Sequence, residues 1–201
     1  MLSEVQKLSG NVPVPGGAYN EMQVSDRMAK YYNMVRSGNV FYAATPAAVT
    51  ISLAGTAATG FILSNPNGSG KNLVLLELLI HAGAEPAAVA PFVLTGSATA
   101  VAVTHTTPLS IFNALYTGVA SGASVAKADS SSTIPTPAVQ RIVPGGAAFV
   151  GTAASAPWGP IIHDNIDGLL VLAPGTVCAL QTLTTALLTS LIQMTWAEEI
   201  A

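Results

Sequence analysis

Short β-forming segments follow one another along the chain from Asn39 almost to its carboxyl end, and this regular spacing restricts the fold more than any other feature. Each segment is rich in Val, Ile, Leu, Phe or Thr, and Gly, Pro, Asn or Ser separate it from the next. The predicted strands are "NVFYA", "AVTISLA", "TGFILSN", "LVLLELLIHA", "FVLTG", "TAVAVTH", "LSIFNALYT", "AAFVGTA", "DGLLVLA", "TVCALQTL" and "LLTSLIQMTWAE". Because such a series is typical of a sandwich or barrel, we expect an all-β domain over residues 38–201.

Side-chain alternation and one turn make the expected fold more specific. Ile192, Met194 and Trp196 alternate with polar residues, which predicts a strand with one face in the core. The stretch "DGLLVLAPGTVCALQTL" resembles the strand, Pro-Gly, strand corner of jelly rolls, with Pro174 and Gly175 at the turn. We therefore expect a jelly-roll-like β-sandwich.

Two internal segments depart from the simple alternation. The run from Leu73 to Ile80 is apolar on both faces except at Glu77, which predicts a strand covered on both sides. Glu77 is then either paired or at an interface. Residues 120–146 contain much Ser, Ala and Pro and little strand signal, so we interpret them as a long crossing loop.

The amino-terminal part of the chain has a different texture. Residues 1–20 contain Pro and Gly but no hydrophobic period, which indicates an extended arm. From Asn20 the spacing becomes helical, and Gly38 stands where a helix should end. We therefore predict one short helix over about residues 21–36 and an arm-and-helix region, residues 1–37, ahead of the sandwich.

Charge is scarce in this chain. Only 8% of its 201 residues are charged, against about 25% in ordinary soluble proteins, while 50% are apolar. We therefore expect copies of the chain or another protein to cover much of its surface.

No run reaches the roughly 18 consecutive apolar residues of a membrane span, and the amino terminus lacks the regions of a signal peptide. The net charge of −3 and the absence of a strong basic patch also argue against nucleic-acid binding.

A possible phosphate loop precedes the Leu-rich run, in "SNPNGSGKNLVLLELLI". Gly70 and Lys71 fit the pattern G-x-x-x-x-G-K-[ST], but Asn65 replaces the first glycine and Asn72 replaces the hydroxyl residue. Pro66 also removes a backbone N–H donor from the loop. We interpret the segment instead as a β-hairpin, two strands joined by a "PNGSG" turn.

Other candidate sites are sparse as well. The three histidines have no His or Cys at metal-ligand spacing. The segment "HDNIDG", residues 163–168, lacks the alternation of a calcium loop, so we interpret it as a polar turn before a strand. Glu77, Asp164 and Asp167 could converge in the fold as catalytic acids, but no pattern in the sequence requires it. "GVASGAS" misses the nucleophile-elbow pattern by one residue, and Cys178 suits a small buried hydrophobe. The sequence therefore predicts no enzyme, no cofactor and no metal site.

Several motifs together resemble a group of virion structural proteins of tailed bacteriophages. That group has a helix ending in Tyr-Tyr, then Arg-x-Gly-Asn-Val-Phe, then Leu-x-Asn-Pro-x-Gly-Ser-x-Lys-Asn-Leu. The matching positions here are Tyr31, Tyr32, Arg36, Gly38, Asn39, Val40, Phe41 and Leu63 through Leu73. The resemblance covers about residues 25–80 and, loosely, the last strand. It implies a particle component without catalysis, most specifically a capsid decoration, or cement, protein.

This resemblance, together with the low charge and the extended arm, which suit symmetric assembly, sets the expected partners and location. The chain is expected to form a homotrimer and to bind a major capsid protein on the virion surface, after synthesis in the host cytoplasm. The residues expected to contact a partner are Arg27, Lys30, Tyr31, Tyr32 and Arg36. Two alternatives stay open: a phage fibre or tail jelly roll that binds a host glycan, for instance through Trp158, and a cupin-like enzyme, which would need a bound metal.

Overall fold

The computed structural model confirms a β-sandwich. It describes residues 4–5, 12–13, 30–83, 91–97, 106–116, 124–147, 161–185 and 189–201. These residues form fourteen β-strands, all paired antiparallel in named sheets, and one short helix. The chain separates into two compact units, residues 1–33 and residues 34–201.

In the first unit, β1 (Glu4–Val5) pairs antiparallel with β2 (Val12–Pro13). The rest of the predicted arm lies outside the described residues. So do residues 21–29 of the predicted helix. Of its remaining residues, Lys30 and Tyr31 form a turn, contrary to the prediction, and α1 spans Tyr32–Arg36. Gly38 ends this helix as predicted: it has a φ of 76°, and its N–H donates to the Val35 carbonyl oxygen at 2.9 Å.

The larger sheet has seven strands. Its main path runs β11-β6-β14-β3-β8, while β12 pairs with β6 and β4 pairs with β14. The strands are β3 (Val40–Ala44), β4 (Val49–Thr50), β6 (Lys71–Ala82), β8 (Ile111–Asn113), β11 (Ile161–Asn165), β12 (Val171–Leu172) and β14 (Thr189–Ile200).

The second sheet has five strands in the order β10-β7-β13-β5-β9. They are β5 (Ala57–Ser64), β7 (Pro91–Ser97), β9 (Lys127–Thr133), β10 (Ala138–Ala147) and β13 (Val177–Thr182).

The connections give a jelly roll. The eight principal strands, in chain order, are β3, β5, β6, β7, β10, β11, β13 and β14. Numbered one to eight, they form one sheet in the order 6-3-8-1 and the other in the order 5-4-7-2. This is the arrangement of two interlocked Greek keys across two sheets. Strands β8 and β9 come between the fourth and fifth principal strands and extend one edge of each sheet.

The hydrophobic core lies between the sheets. Phe61 of β5 and Phe92 of β7 belong to the same buried cluster as Phe41 of β3 and Trp196 of β14. The rings of Phe41 and Trp196 stack with centroids 6.4 Å apart. Ile192, Met194 and Trp196 all face this core, as their alternation predicts.

Three sequence predictions about individual elements are wrong. Residues 120–146 were expected to be a loop, yet they contain all of β9 and most of β10. The polar residues of "HDN" belong to strand β11. Strands β5 and β6 do not form a hairpin, because they belong to different sheets and the turn between them crosses the sandwich. The predicted strand "TAVAVTH" and most of "AAFVGTA" lie outside the described residues.

Candidate interaction surface

Strand β11 separates the polar groups of "HDNIDG", because neighbouring residues of a strand point to opposite faces. Asp164 points inward, where its two carboxylate oxygens accept hydrogen bonds from Arg141 of β10. The Arg141 Nε to Asp164 Oδ2 distance is 2.9 Å, and the Nη2 to Oδ1 distance is 2.8 Å. This hydrogen-bonded carboxylate raises the pKa of Arg141 above its usual value. The pair joins the two sheets at their β10 and β11 edges, so Asp164 has a structural role.

Glu77 and His163 lie on the other side of the same sheet. The Glu77 Oε2 and His163 Nε2 atoms are 4.0 Å apart, and both side chains are partly exposed. Glu77 and Asp164 therefore point away from each other, and the three acids considered from the sequence do not converge. In the described part of the chain, no three His, Cys, Asp or Glu side chains are grouped as a metal site.

The lysine of the possible phosphate loop is engaged by a buried carboxylate. Lys71 Nζ lies 2.9 Å from Glu198 Oε2. The other oxygen, Glu198 Oε1, accepts hydrogen bonds from Ser124 Oγ at 2.6 Å and from the Val125 N–H at 2.9 Å. Because Lys71 is held in this network, it is not presented to a phosphate, which favours the turn interpretation.

Cys178 is buried, as predicted from the sequence. It lies in the core between the sheets, and burial raises the pKa of its thiol to about 12. The reactive thiolate is therefore very scarce at neutral pH.

We expect Cys178 of the native protein to react with an aromatic disulfide reagent at least about 100-fold more slowly than in urea-unfolded protein, because only the thiolate attacks. The absorbance of the released thiol would measure both rates at about pH 8. Rapid labelling without unfolding would contradict this assignment.

The predicted partner-contacting residues lie around α1, with the exception of Arg27, which is outside the described residues. Lys30, Tyr32 and Arg36 are exposed, and Tyr31 is half-buried. Lys30 Nζ lies 5.4 Å from the centre of the Tyr31 ring, a cation–π contact. Trp158, the residue named for a glycan-binding alternative, also lies outside the described residues.

A different surface, which we call the open face, is formed by the outer side of the seven-stranded sheet. Strand pairing places its residues in rows. One row runs Ile161, His81, Leu191, and the next runs His163, Leu79, Gln193. The third row continues from Glu77 through Thr195 and Tyr42 to Phe112. The residues of the open face are thus Tyr42, Glu77, Leu79, His81, Phe112, Ile161, His163, Leu191, Gln193 and Thr195.

The open face combines exposed apolar side chains with very little charge. Leu79, Phe112, Ile161 and Leu191 are all exposed, and the Phe112 ring stacks on Tyr42 with centroids 5.8 Å apart. Glu77 is the one residue of this surface, as defined above, that carries a formal charge with histidine neutral. A broad surface with these properties is typical of a protein–protein contact.

A cavity of about 120 Å³ offers a weaker candidate site. It lies between β7, β10, β12 and β13, and its lining includes Gly96, Gln140, Leu172 and Cys178. Sites for small organic ligands usually measure about 300–1,000 Å³, so this cavity is small for one. The open face is therefore the stronger candidate.

Comparison of the chain with protein-family models, with curated proteins and with solved structures found no match. Within the described ranges, no helix has the length and apolar character to cross a bilayer. The evidence for the open face as an interaction surface is therefore its geometry and composition alone. Sequence reasoning had located its strands β6 and β14, and had placed Glu77 either in a pair or at an interface, but it had not singled out the surrounding apolar residues.

Proposed function

We propose that this chain is a non-enzymatic structural protein of a tailed-bacteriophage particle and that it decorates the capsid as a cement protein. The observation that carries the proposal is the open face, a nearly uncharged sheet surface with four exposed large apolar side chains. An isolated subunit gains nothing from such a surface, whereas a subunit of a permanent assembly buries it. The phage setting comes from the sequence resemblance.

The use of polar side chains in the described structure also supports a structural role. Arg141 binds Asp164 across the sandwich, and Lys71 binds the buried Glu198. The Gln181 Nε2 donates to Ser52 Oγ and to the carbonyl oxygens of Leu53 and Gly55. Groups that catalysis could use are here holding segments of the fold together.

The proposed partners are further copies of the chain, as a homotrimer, and a major capsid protein. Arg27, Lys30, Tyr31, Tyr32 and Arg36 are proposed to contact the capsid, with the arm reaching a neighbouring subunit. The protein would act on the virion surface after synthesis in the host cytoplasm, without cofactor, nucleic acid or membrane. By binding across joints between capsid subunits, it would favour the closed shell by mass action.

Removing residues 1–20 is expected to weaken binding to empty capsids by about tenfold or more, because the arm's contacts are lost. The unit of residues 34–201 should stay folded, since it contains its own core. Co-sedimentation with capsids would measure binding, and circular dichroism would check the fold.

Lys127→Ala is a suitable control, because it removes an exposed cation of the sandwich. Truncated protein that binds as firmly as the full chain would refute the role of the arm. Full-length protein that does not sediment with capsids would refute decoration, and binding to a glycan array instead would favour a fibre or tail role.

A further inference from the structure

We propose that the open face is the surface through which copies of this chain pack against one another. This deepens the proposed structural role and rests on it, because it names the partner of the same surface. The occupant is a second copy of the chain rather than a peptide, a nucleic acid or a capsid subunit.

The shape of the open face favours another flat surface. Its residues lie on five antiparallel strands, β11, β6, β14, β3 and β8, and their exposed side chains project from a pleated sheet. Pleated sheets pack face to face by interdigitating their projecting side chains. A second jelly roll supplies such a surface.

The charge of the open face also favours a copy. A polyanion needs several converging cations, whereas this surface carries Glu77, next to His163, and a second imidazole at His81. An acidic partner would meet a like charge, and a strongly basic partner would find one carboxylate. The best match for this near-neutral face is another surface with little charge. A second copy of the chain offers one, because only 8% of its residues are charged.

The charges elsewhere in the sandwich reinforce this match. Three cations follow residue 37 in the sequence, namely Lys71, Lys127 and Arg141. Two of them, Lys71 and Arg141, are in ion pairs with side chains that are almost fully buried. The charges of these two ion pairs are neutralised inside each subunit, so they do not repel another copy of the chain.

The size of the open face is adequate for self-association. Five strands spaced about 4.8 Å apart, and the five residues of β6 from Glu77 to His81 at about 3.4 Å each, give a flat footprint of roughly 400 Å². Projecting side chains add accessible area to that footprint. The result approaches the roughly 600 Å² per partner found at the lower end of specific interfaces.

A pair of matched leucines provides the test. Leu191 lies in the open face, and Leu183 lies after β13 of the other sheet, yet each side chain is 42% exposed. Leu191→Glu should weaken self-association by about 100-fold or more, because a carboxylate would be buried between copies. Leu183→Glu makes the same chemical change and should leave self-association within about threefold of the wild-type value. Light scattering and sedimentation equilibrium over a range of concentrations would measure both, with the full-length chain.

Ile161→Glu is a second variant in the open face, at an edge-strand residue that is 65% exposed and therefore tolerant of a charge. It guards against a Leu191→Glu protein that fails to fold, and circular dichroism would check each variant. Monomers from both open-face variants, with an oligomeric Leu183→Glu control, would support the proposal. A monomeric wild-type chain, or open-face variants that associate like the wild type, would overturn it.

The same proteins separate this inference from the proposed function. Wild-type protein that forms an oligomer through the open face but ignores capsids would refute decoration and leave the interface standing. Wild-type protein that binds capsids while the open-face variants keep the wild-type mass would overturn the interface and leave decoration standing.

Discussion

Replacing Arg141 with alanine is expected to lower the free energy of unfolding by about 3–5 kcal/mol, the cost of leaving a buried charge without its partner. Asp164 has a side chain only 3% exposed, and Arg141 donates to both of its oxygens. The Arg141 side chain is 23% exposed, so water can enter the space that it leaves in the alanine variant. We therefore expect a cost toward the lower end of this range. Urea unfolding, followed by circular dichroism, would measure the change.

The double variant Arg141→Met with Asp164→Leu is the informative control. It removes both charges and fills the site with apolar side chains, so its unfolding free energy should lie within about 2 kcal/mol of the wild-type value. A single Arg141→Ala variant that loses less than about 1 kcal/mol would show that water already solvates Asp164. Lys127→Ala, at an exposed cation, should change the unfolding free energy by no more than about 0.5 kcal/mol.

This ion pair also links stability to the proposed interface. It attaches β11 to the other sheet, and β11 supplies Ile161 and His163 to the open face. We therefore expect loss of Arg141 to loosen that edge of the open face as well as the core.

The core strands could be predicted because their side chains repeat with the period of a strand. Strands β3, β5, β6, β7, β13 and β14 each bury apolar residues, and those residues give a clear signal along the sequence. The turn at Pro174 and Gly175 likewise revealed the jelly roll, since it connects β12 of one sheet to β13 of the other.

Three edge strands, β9, β10 and β11, could not be predicted in this way, because polar contacts with distant parts of the chain take the place of apolar burial in them. Strand β9 reads "KADSSST", in which Asp129 and Ser132 are buried polar residues. Strand β10 contains Pro144, which an edge strand tolerates because one side makes no ladder hydrogen bonds. In β11, Asp164 faces inward only because Arg141, distant in sequence, meets it. Such contacts join residues that are distant in the sequence, so the local sequence pattern of a strand does not reveal them.

The open face, too, could be predicted from the sequence only in part. The sequence predicted a nearly uncharged surface and an alternation that assigns Gln193 and Thr195 to one side of β14. It could not show that this side is open, because both sides of β6 are rich in leucine. The rows of the open face depend on the register between five strands, which local sequence does not specify.

The second large effect is expected at the turn that first suggested a phosphate loop. Asn65 is buried there, and its Nδ2 donates to the carbonyl oxygens of Lys71 at 2.7 Å and of Leu172 at 2.8 Å. Its Oδ1 accepts a hydrogen bond from Ser69 Oγ at 2.6 Å. One amide thus ties the turn to the β12 end of the Pro-Gly corner, which explains why Asn rather than Gly stands at this position.

Asn65→Asp has nearly the same shape, but it replaces the donating amide with a carboxylate that faces two carbonyl oxygens. We expect it to lower the free energy of unfolding by about 3 kcal/mol or more at about pH 7, since two acceptors lose their donor and a charge is buried. Burial raises the pKa of this new carboxyl in the folded state above its unfolded value, so the folded state binds the proton more tightly. The deficit relative to the wild type should therefore be smaller at about pH 5 than at about pH 7, as urea titrations at both would measure. Asn67→Asp makes the identical change two residues away at an exposed position, and it should cost less than about 0.5 kcal/mol. Equal losses for the two variants would mean that added negative charge on the turn, rather than the two hydrogen bonds of Asn65, sets the stability of this corner.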